Sequence, residues 1–379
     1  MGGAAGHISH LAEDYSLVLR DLIDIIKGVT DGSIKTYEKF DGVNVVVTWS
    51  NLGLRFARGK SDILAGGMGH AELVEKFAGR PGVYDAFVEG FDALEMALRD
   101  VPDKDQFFAD GERWMSVEIC STKNTNVIQY DSNVIVFHDF PAFNARGERI
   151  RLSPLWMPSK MLEWTPMSVD GWMISGPKQI FISNMANTTD AFSEEIEFLA
   201  KHLECTLDAS LGEVYTKTFI ERFGGWFPLA SSSTVNAIAH KVLGCDSALH
   251  LRDLNKLLKQ HTYYQHVVKE WLNDQSAKKH CVDVIDCIVR QTAIDMLEHV
   301  CSTMIVSRSN KAEQLRRKLR HALENDDPII DREHVRLGDI SYANAFIEGV
   351  VFTYKGKQYK LTGAYAPVNR ILGVERFKK

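Results

Sequence analysis

The stretch Tyr37-Glu38-Lys39-Phe40-Asp41-Gly42-Val43-Asn44 decides how this chain is read. Downstream of it, Val43, Val45, Val47 and Trp49 alternate as β-branched or aromatic residues, which predicts a strand. Lys39 then stands at the end of a preceding strand, facing a pocket, and Gly42 lets the backbone turn sharply and approach a ligand. A lysine amine so placed can attack the α-phosphate of a nucleotide once it is neutral, a state favoured by neighbouring cations or a phosphate-bound metal. The same four-residue K-x-D-G pattern also suits a plain β-turn with an exposed lysine, so its sequence company matters.

Working outward, strand patterns recur over 54–58, behind the 51–53 turn, and over 114–120 and 134–140. A helix is expected over 83–98, and a glycine-rich loop over 59–82, whose glycines suit a lid or a plain surface connection. Apolar residues at helical spacing from Leu11 to Ile26 predict a helix over 8–27, stopped by Gly28. From about 190 to 325 the pattern turns helical, as in 193–203, 251–259 and 282–306. Strands return in 346–354 and 357–362, around a tight Lys355-Gly356 turn. The expected layout is a β-rich core in two parts, 1–189 and 331–379, split by a helical insertion at 190–330.

Composition bounds the rest. The chain has 379 residues, 45% hydrophobic and 25% charged, which excludes a disordered or low-complexity protein. Fifty acidic against 44 basic side chains give a net charge of −6, so polyanion contact has to come from local basic patches. Two are visible: 311–321, with Lys311, Arg316, Arg317, Lys318 and Arg320, and 355–379, with Lys355, Lys357, Lys360 and Arg370. Either is also a solvated face. The six cysteines form no C-x-x-C pair, and no apolar run approaches the ~20 residues of a membrane span. With no signal-peptide pattern at the start, a protein of the cytoplasm (the host's, if viral) is expected. His7 and His10 lack a third metal ligand. Gly53-Leu54-Arg55-Phe56-Ala57-Arg58-Gly59-Lys60-Ser61 has one residue too many for a P-loop, and its middle prefers a strand. Trp156, Trp164 and Trp172 read as core residues rather than base-stacking platforms.

The company of Lys39 runs in order. Arg58 closes Arg55-Phe56-Ala57-Arg58, and Glu118 sits in Ser116-Val117-Glu118-Ile119. Ile128-Gln129-Tyr130 and Phe137-His138-Asp139 follow. Near the C-terminus come Glu348-Gly349-Val350-Val351 and Tyr359-Lys360-Leu361-Thr362. This series resembles the covalent nucleotidyltransferases, the superfamily of DNA ligases, RNA ligases and mRNA capping enzymes. The Glu38-Lys39-x-Asp41-Gly42-x-Asn44 pattern is most similar to nick-sealing RNA ligases, over roughly 34–140 and 345–363. More loosely, the whole chain resembles ligase-like proteins of tailed bacteriophages.

The resemblance implies an α+β fold, a nucleotidyltransferase core of mainly antiparallel sheets carrying the helical insertion. It implies an ATP-dependent polynucleotide ligase of RNA type. AMP would pass from ATP to Lys39, then to a 5′-phosphate end, and a 3′-hydroxyl would displace it. Lys39 and Lys360 would be catalytic, with Lys360 neutralising charge on the α-phosphate. Glu38, Arg58, Glu118 and Phe137 would join Lys360 in binding the nucleotide: Glu118 at the ribose, Arg58 at a ribose or phosphate oxygen, Phe137 stacked on adenine. Glu348 would orient Mg2+. RNA or DNA ends would be the partners. The fifth motif departs from the family's K-x-K by reading Lys360-Leu361-Thr362, with Lys357 as a substitute if it faces inward. With sixteen residues after Gly363, no C-terminal OB-fold is expected. These departures keep two other readings open: an AMP transferase to a protein or small molecule, and a ligase-derived nucleic-acid-binding or structural protein without turnover.

Overall fold

The computed structural model describes residues 8–124, 130, 132–150, 156–245, 250–304 and 348–362. The chain is a mixed α+β protein with two main sheets. It opens with β1 (Ser9–His10) and α1 (Leu19–Asp31), then β2 (Thr36–Lys39), β3 (Val43–Ser50) and β4 (Gly53–Ala57). Helices α2 (Lys60–Leu64), α3 (His70–Phe77), α4 (Val83–Arg99) and α5 (Lys104–Phe108) lead to β5 (Met115–Cys120) and β6 (Asn133–Asp139). After the small β7 (Ala142–Phe143) and β8 (Arg149–Ile150) pair come α6 (Trp156–Trp164), β9 (Ser168–Val169), β10 (Trp172–Ser175) and β11 (Gln179–Ile180). A helical run follows: α7 (Ala186–His202), α8 (Leu211–Phe223), α9 (Ser232–Leu243), α10 (Leu251–Leu257), α11 (Thr262–Asp274) and α12 (Ser276–Met304). The hairpin β12 (Gly349–Tyr354) and β13 (Lys357–Thr362) completes the described chain.

The first sheet has the order β1-β13-β12-β2-β11 and the second β4-β3-β5-β6-β10-β9. Pairing is antiparallel except for β1 with β13 and β10 with β6. The hairpin joins β2, as Gly349 faces Lys39 and Val351 faces Tyr37, so the two β portions separated in sequence do pack together. The link between the sheets is short. Only Phe40, Asp41 and Gly42 separate β2 of the first from β3 of the second.

Strand alternation sorts the side chains of the first sheet. Val350, Phe352, Tyr359 and Leu361 share one face and are buried against Leu22, Ile25 and Ile26 of α1 and the apolar faces of α7, α8 and α12. Each such side chain contributes about 1.5–3 kcal/mol by leaving water. The helices expected as an insertion therefore share one core with α1 and this sheet. Sequence order suggested a separate block because the helices are contiguous; packing depends on their apolar faces, which need the sheet's back to cover them. In the second sheet, Val45, Val47, Val117, Ile119, Ile135 and Phe137 pack on Phe87, Phe91 and Leu94 of α4. Val46 is buried on the other face with Ala57, Ile63 and Trp114, which explains an unbroken Val45-Val46-Val47 run in a strand.

Three local expectations change. The predicted 8–27 helix is a strand, a single turn of tight helix over Leu11–Glu13, and α1 from Leu19 onward. β13 captures residues 9 and 10 as a parallel partner, and the Asp21 carboxylate accepts the Val18 N–H to start the helix later. The 59–82 loop contains α2 and α3, anchored by Leu73 and Phe77, an i, i+4 apolar pair buried in the second core. The P-loop-like stretch is β4, paired residue by residue with β3 from Val46↔Ala57 to Ser50↔Gly53. Trp172 is buried in the second core and Trp164 packs against it, as read from sequence; the side chain of Trp156 lies outside the described residues. No described helix is long and apolar enough to cross a membrane.

Candidate active site

The face of the first sheet opposite the helices carries the other alternation set: Tyr37 and Lys39 on β2, Val351 on β12, Lys360 and Thr362 on β13. Lys39 and Lys360 are thus on one face, with β12 between their strands. Glu348 lies one residue before β12, and its Oε2 accepts a hydrogen bond from Lys39 Nζ, closing a contact across 309 positions of sequence. Gly349, opposite Lys39, has no room for a side chain, because a Cβ there would collide with the Leu361 carbonyl oxygen.

These groups sit in a field of their own making. Burial pushes the Glu348 carboxyl up, the Lys39 ammonium opposes that push, and Asp41 and Glu118 add to it. Burial pushes the Lys360 ammonium down, and the Lys39 charge pushes the same way. The Glu13 and Glu348 carboxylates oppose that push on Lys360. The Lys39–Glu348 hydrogen bond, the Gly42–Glu118 hydrogen bond and the Val351–Lys360 pairing bring segments around 40, 118, 348 and 360 to one place.

The second sheet supplies the adjoining wall. Glu118 Oε1 accepts the Gly42 N–H at 3.2 Å, and its Oε2 accepts Asn44 Nδ2 at 3.1 Å. His138 Nε2 lies 3.7 Å from the same Oε2. A Cβ on Gly42 would meet the Ile119 carbonyl oxygen at 2.6 Å and Cys120 Sγ at 2.8 Å, so β3 approaches β5 this closely only with glycine there. Asn44 Oδ1 is buried without a hydrogen-bond partner. An unsatisfied buried oxygen of this kind is costly. Tyr130 closes the corner: its hydroxyl oxygen accepts the Asp41 N–H at 2.8 Å and its ring stacks on Phe40.

The remaining sequence candidates fall elsewhere. Phe137 is fully buried in the second core beside Val117, so it has no face to offer a base. Phe137 pairs with Val117 and lies two residues after the buried Ile135, so strand alternation carries both towards α4; His138, two residues after Val136, lies on the Glu118 side. Glu38 leaves β2 on the opposite face from Lys39, with Val350 and Leu361. It is 6% exposed, and burial raises its carboxyl to about 7, only partly opposed by the Lys178 ammonium at 3.9 Å. Arg58 follows β4 directly; it is exposed, and its guanidinium lies 5.6 Å from the Phe87 ring centroid. Lys357 shares the face of Tyr359, not of Lys360, and donates to Asp14 at 2.8 Å, so it does not stand in for the second lysine of the fifth motif. Residues 128–129, the 311–321 cluster and Arg370, Arg376, Lys378 and Lys379 lie outside the described residues, as does His7.

Asn44, Tyr130 and His138 were quoted within motifs but given no role from sequence. Asn44 stands opposite Glu118 across the β3–β5 pairing, which no count along one strand reveals. His138 follows by alternation along β6, since it lies two residues after Val136, the partner of Glu118. Among the described residues, no three His, Cys, Asp or Glu side chains are gathered for a metal. A single carboxylate such as Glu348 still suits Mg2+, which takes one or two protein carboxylates and completes its shell with waters and substrate phosphates. No protein-family model matches the sequence, and no curated protein matches it.

Proposed function

We propose that the protein is an ATP-dependent nucleotidyltransferase that forms a covalent lysyl-AMP at Lys39 and passes the AMP to a polynucleotide 5′-phosphate end, as RNA-type ligases do. The observation that carries this reading is the Lys39–Glu348 contact on a face shared with Lys360, at the junction where Gly42 is held by Glu118. A nucleophile, a cation and a carboxylate from sequence positions far apart meet beside a wall of hydrogen-bonding groups, which is the equipment of phosphoryl chemistry.

In this reading the Lys39 ammonium first gives up a proton to solvent, the Glu348 carboxylate holding the amine in place through their hydrogen bond. The amine lone pair then forms the N–P bond to the α-phosphorus. The bond from that phosphorus to the bridging oxygen breaks, and pyrophosphate leaves with the electron pair. Lys360 faces the charge that builds on the α-phosphate oxygens. Glu118, oriented by the Gly42 N–H, with Asn44 and His138 beside it, receives the ribose hydroxyls. Glu348 would hold Mg2+, whose chemistry is to neutralise phosphate charge. Phe40 and Tyr130 offer the aromatic surface that Phe137 cannot, and Arg58, exposed beside the Phe87 ring, has no role in this step.

Incubation with ATP labelled on the α-phosphate and magnesium, followed by a denaturing gel, tests the proposal. Label should remain on the wild-type chain, be absent from Lys39→Ala and be lost or strongly reduced in Glu348→Ala. A folded wild type without label would point to a ligase-derived binding protein. Label with no joining of nicked RNA or DNA would point to AMP transfer to another acceptor.

A further inference from the structure

We infer that the aromatic hollow around Trp226, on the outside of the helical region, is a docking site for a second copy of this chain, the two copies related by a two-fold axis. The inference is independent of the nucleotide reading above. The loop from α8 to α9 makes a turn of tight helix over Gly224–Trp226 and continues through Phe227, Pro228 and Leu229. Together with the start of α11 it forms an open hollow of about 530 Å3, lined by Gly225, Trp226, Pro228, Tyr263 and Tyr264.

The loop is held from beneath. Phe227 is buried, with its ring edge-on to those of Tyr264 and Trp271 at 5.1 and 5.8 Å. The Phe227 N–H donates to the Gly224 carbonyl and the Ala230 N–H to the Phe227 carbonyl, each at 3.0 Å. The Leu229 N–H donates to the Tyr264 hydroxyl at 3.0 Å. These bonds turn the neighbouring side chains outwards. Trp226 rests on Trp271, with ring centroids 5.5 Å apart, and stays 50% exposed; Tyr263 is 59% and Leu229 75% exposed. A lone exposed apolar residue is ordinary, whereas several gathered on one hollow mark an interaction surface. Because the backbone is already fixed, docking there orders little.

Area, shape and charge select the occupant. The exposed parts of Trp226, Tyr263, Leu229 and Pro228 amount to about 400 Å2, taking ~150–250 Å2 for a whole aromatic side chain. That is about half of the ~800 Å2 that each partner covers in a stable complex, and the apolar share of such a surface is itself somewhat over half. In shape, the patch offers a projection, Leu229, directly beside a hollow. A two-fold axis sets each copy's Leu229 into the other's hollow in one operation and closes the assembly. In charge, no Asp, Glu, Lys or Arg side chain lines the hollow. Within four positions of the lining residues the charged ones are Arg222, Lys259 and Glu221, a mixed set. A nucleic-acid strand needs cations along its backbone beside any stacking surface, so apolar protein side chains fit this hollow better.

Sedimentation equilibrium of the full chain over a range of concentrations tests this. Wild type should follow a monomer–dimer equilibrium with a dissociation constant on the order of micromolar or tighter. Leu229→Glu and Tyr263→Ala should each weaken it about thirtyfold or more, the loss expected at the centre of an interface. Both side chains lie on the surface, so both variants should melt as wild type does. Leu52→Glu, at an equally exposed apolar position in the β3–β4 turn, should dimerise like wild type. A wild type with the mass of one chain throughout would overturn the inference, as would a dimer that neither Leu229→Glu nor Tyr263→Ala weakens. A monomeric wild type that binds a single-stranded oligonucleotide, with the binding lost in Tyr263→Ala, would overturn it in favour of a nucleic-acid occupant.

Discussion

Lys39 and Glu38 are adjacent in sequence and opposite in circumstance, because a strand sends successive side chains to opposite faces. Lys39 meets Glu348 on the face it shares with Lys360, whereas Glu38 is buried on the helix-covered one. A carboxyl raised to about 7 when folded binds its proton more tightly than in the unfolded chain. Its contribution is therefore fully present below the unfolded value near pH 4 and is lost as pH rises through 7. Glu38→Gln should match wild type in urea unfolding at pH 4 and be more stable at pH 8, by on the order of 3 kcal/mol. An unchanged difference between the two pH values would show that Glu38 is solvated. Gly42 makes a second residue-scale case. Gly42→Ala should destabilise by about 1–3 kcal/mol, since the added carbon must push β3 from β5, and should reduce Lys39 labelling; a neutral substitution would mean that the two strands are further apart than described. The importance of Gly42 was legible in the motif. The burial of Phe137 was legible as well, in its alternation with Ile135 along β6, although the resemblance placed it on adenine.

At the scale of elements, the β12–β13 hairpin is fastened at its turn by two carboxylates from the N-terminal segment. Asp21 accepts Lys355 Nζ at 2.7 Å and the Tyr354 hydroxyl at 2.8 Å, while Asp14 accepts Lys357 and the Tyr359 hydroxyl. Burial alone would raise both carboxyls; the lysine and tyrosine donors more than reverse it and hold them below the usual range. Groups depressed in the folded state stabilise above their unfolded value and lose that contribution as pH falls through the folded one. The Asp14→Asn, Asp21→Asn double variant should therefore melt below wild type at pH 7. The gap should close progressively below about pH 4, where the wild-type carboxylates also take up protons. A gap that stays constant from pH 7 to pH 2 would contradict the clamp. The hairpin itself was legible, from alternating residues around Lys355-Gly356. Its fastening to residues 14 and 21 was not, since a contact across more than 330 positions leaves no trace in local pattern.

For the molecule as a whole, the two cores assign the work. One is the second sheet with α4; the other joins the back of the first sheet to α1 and the helices from α7 to α12. A shortened chain with 186–304 replaced by a flexible linker should lose cooperative thermal unfolding, because Val350, Phe352 and Leu361 would be left in water. Retention of a sharp transition and of Lys39 labelling would mean that the helices are a dispensable appendage. By itself the sequence determined the strands, most helix positions and the supply of charged and nucleophilic residues, since these follow from alternation, helical spacing and side-chain type. Only the tertiary structure decided which of those residues meet. Lys39, Glu348 and Lys360 share a face because hydrogen-bond register across β2, β12 and β13 sets which distant residues stand side by side. Register is a property of paired strands, and no single strand's sequence contains it.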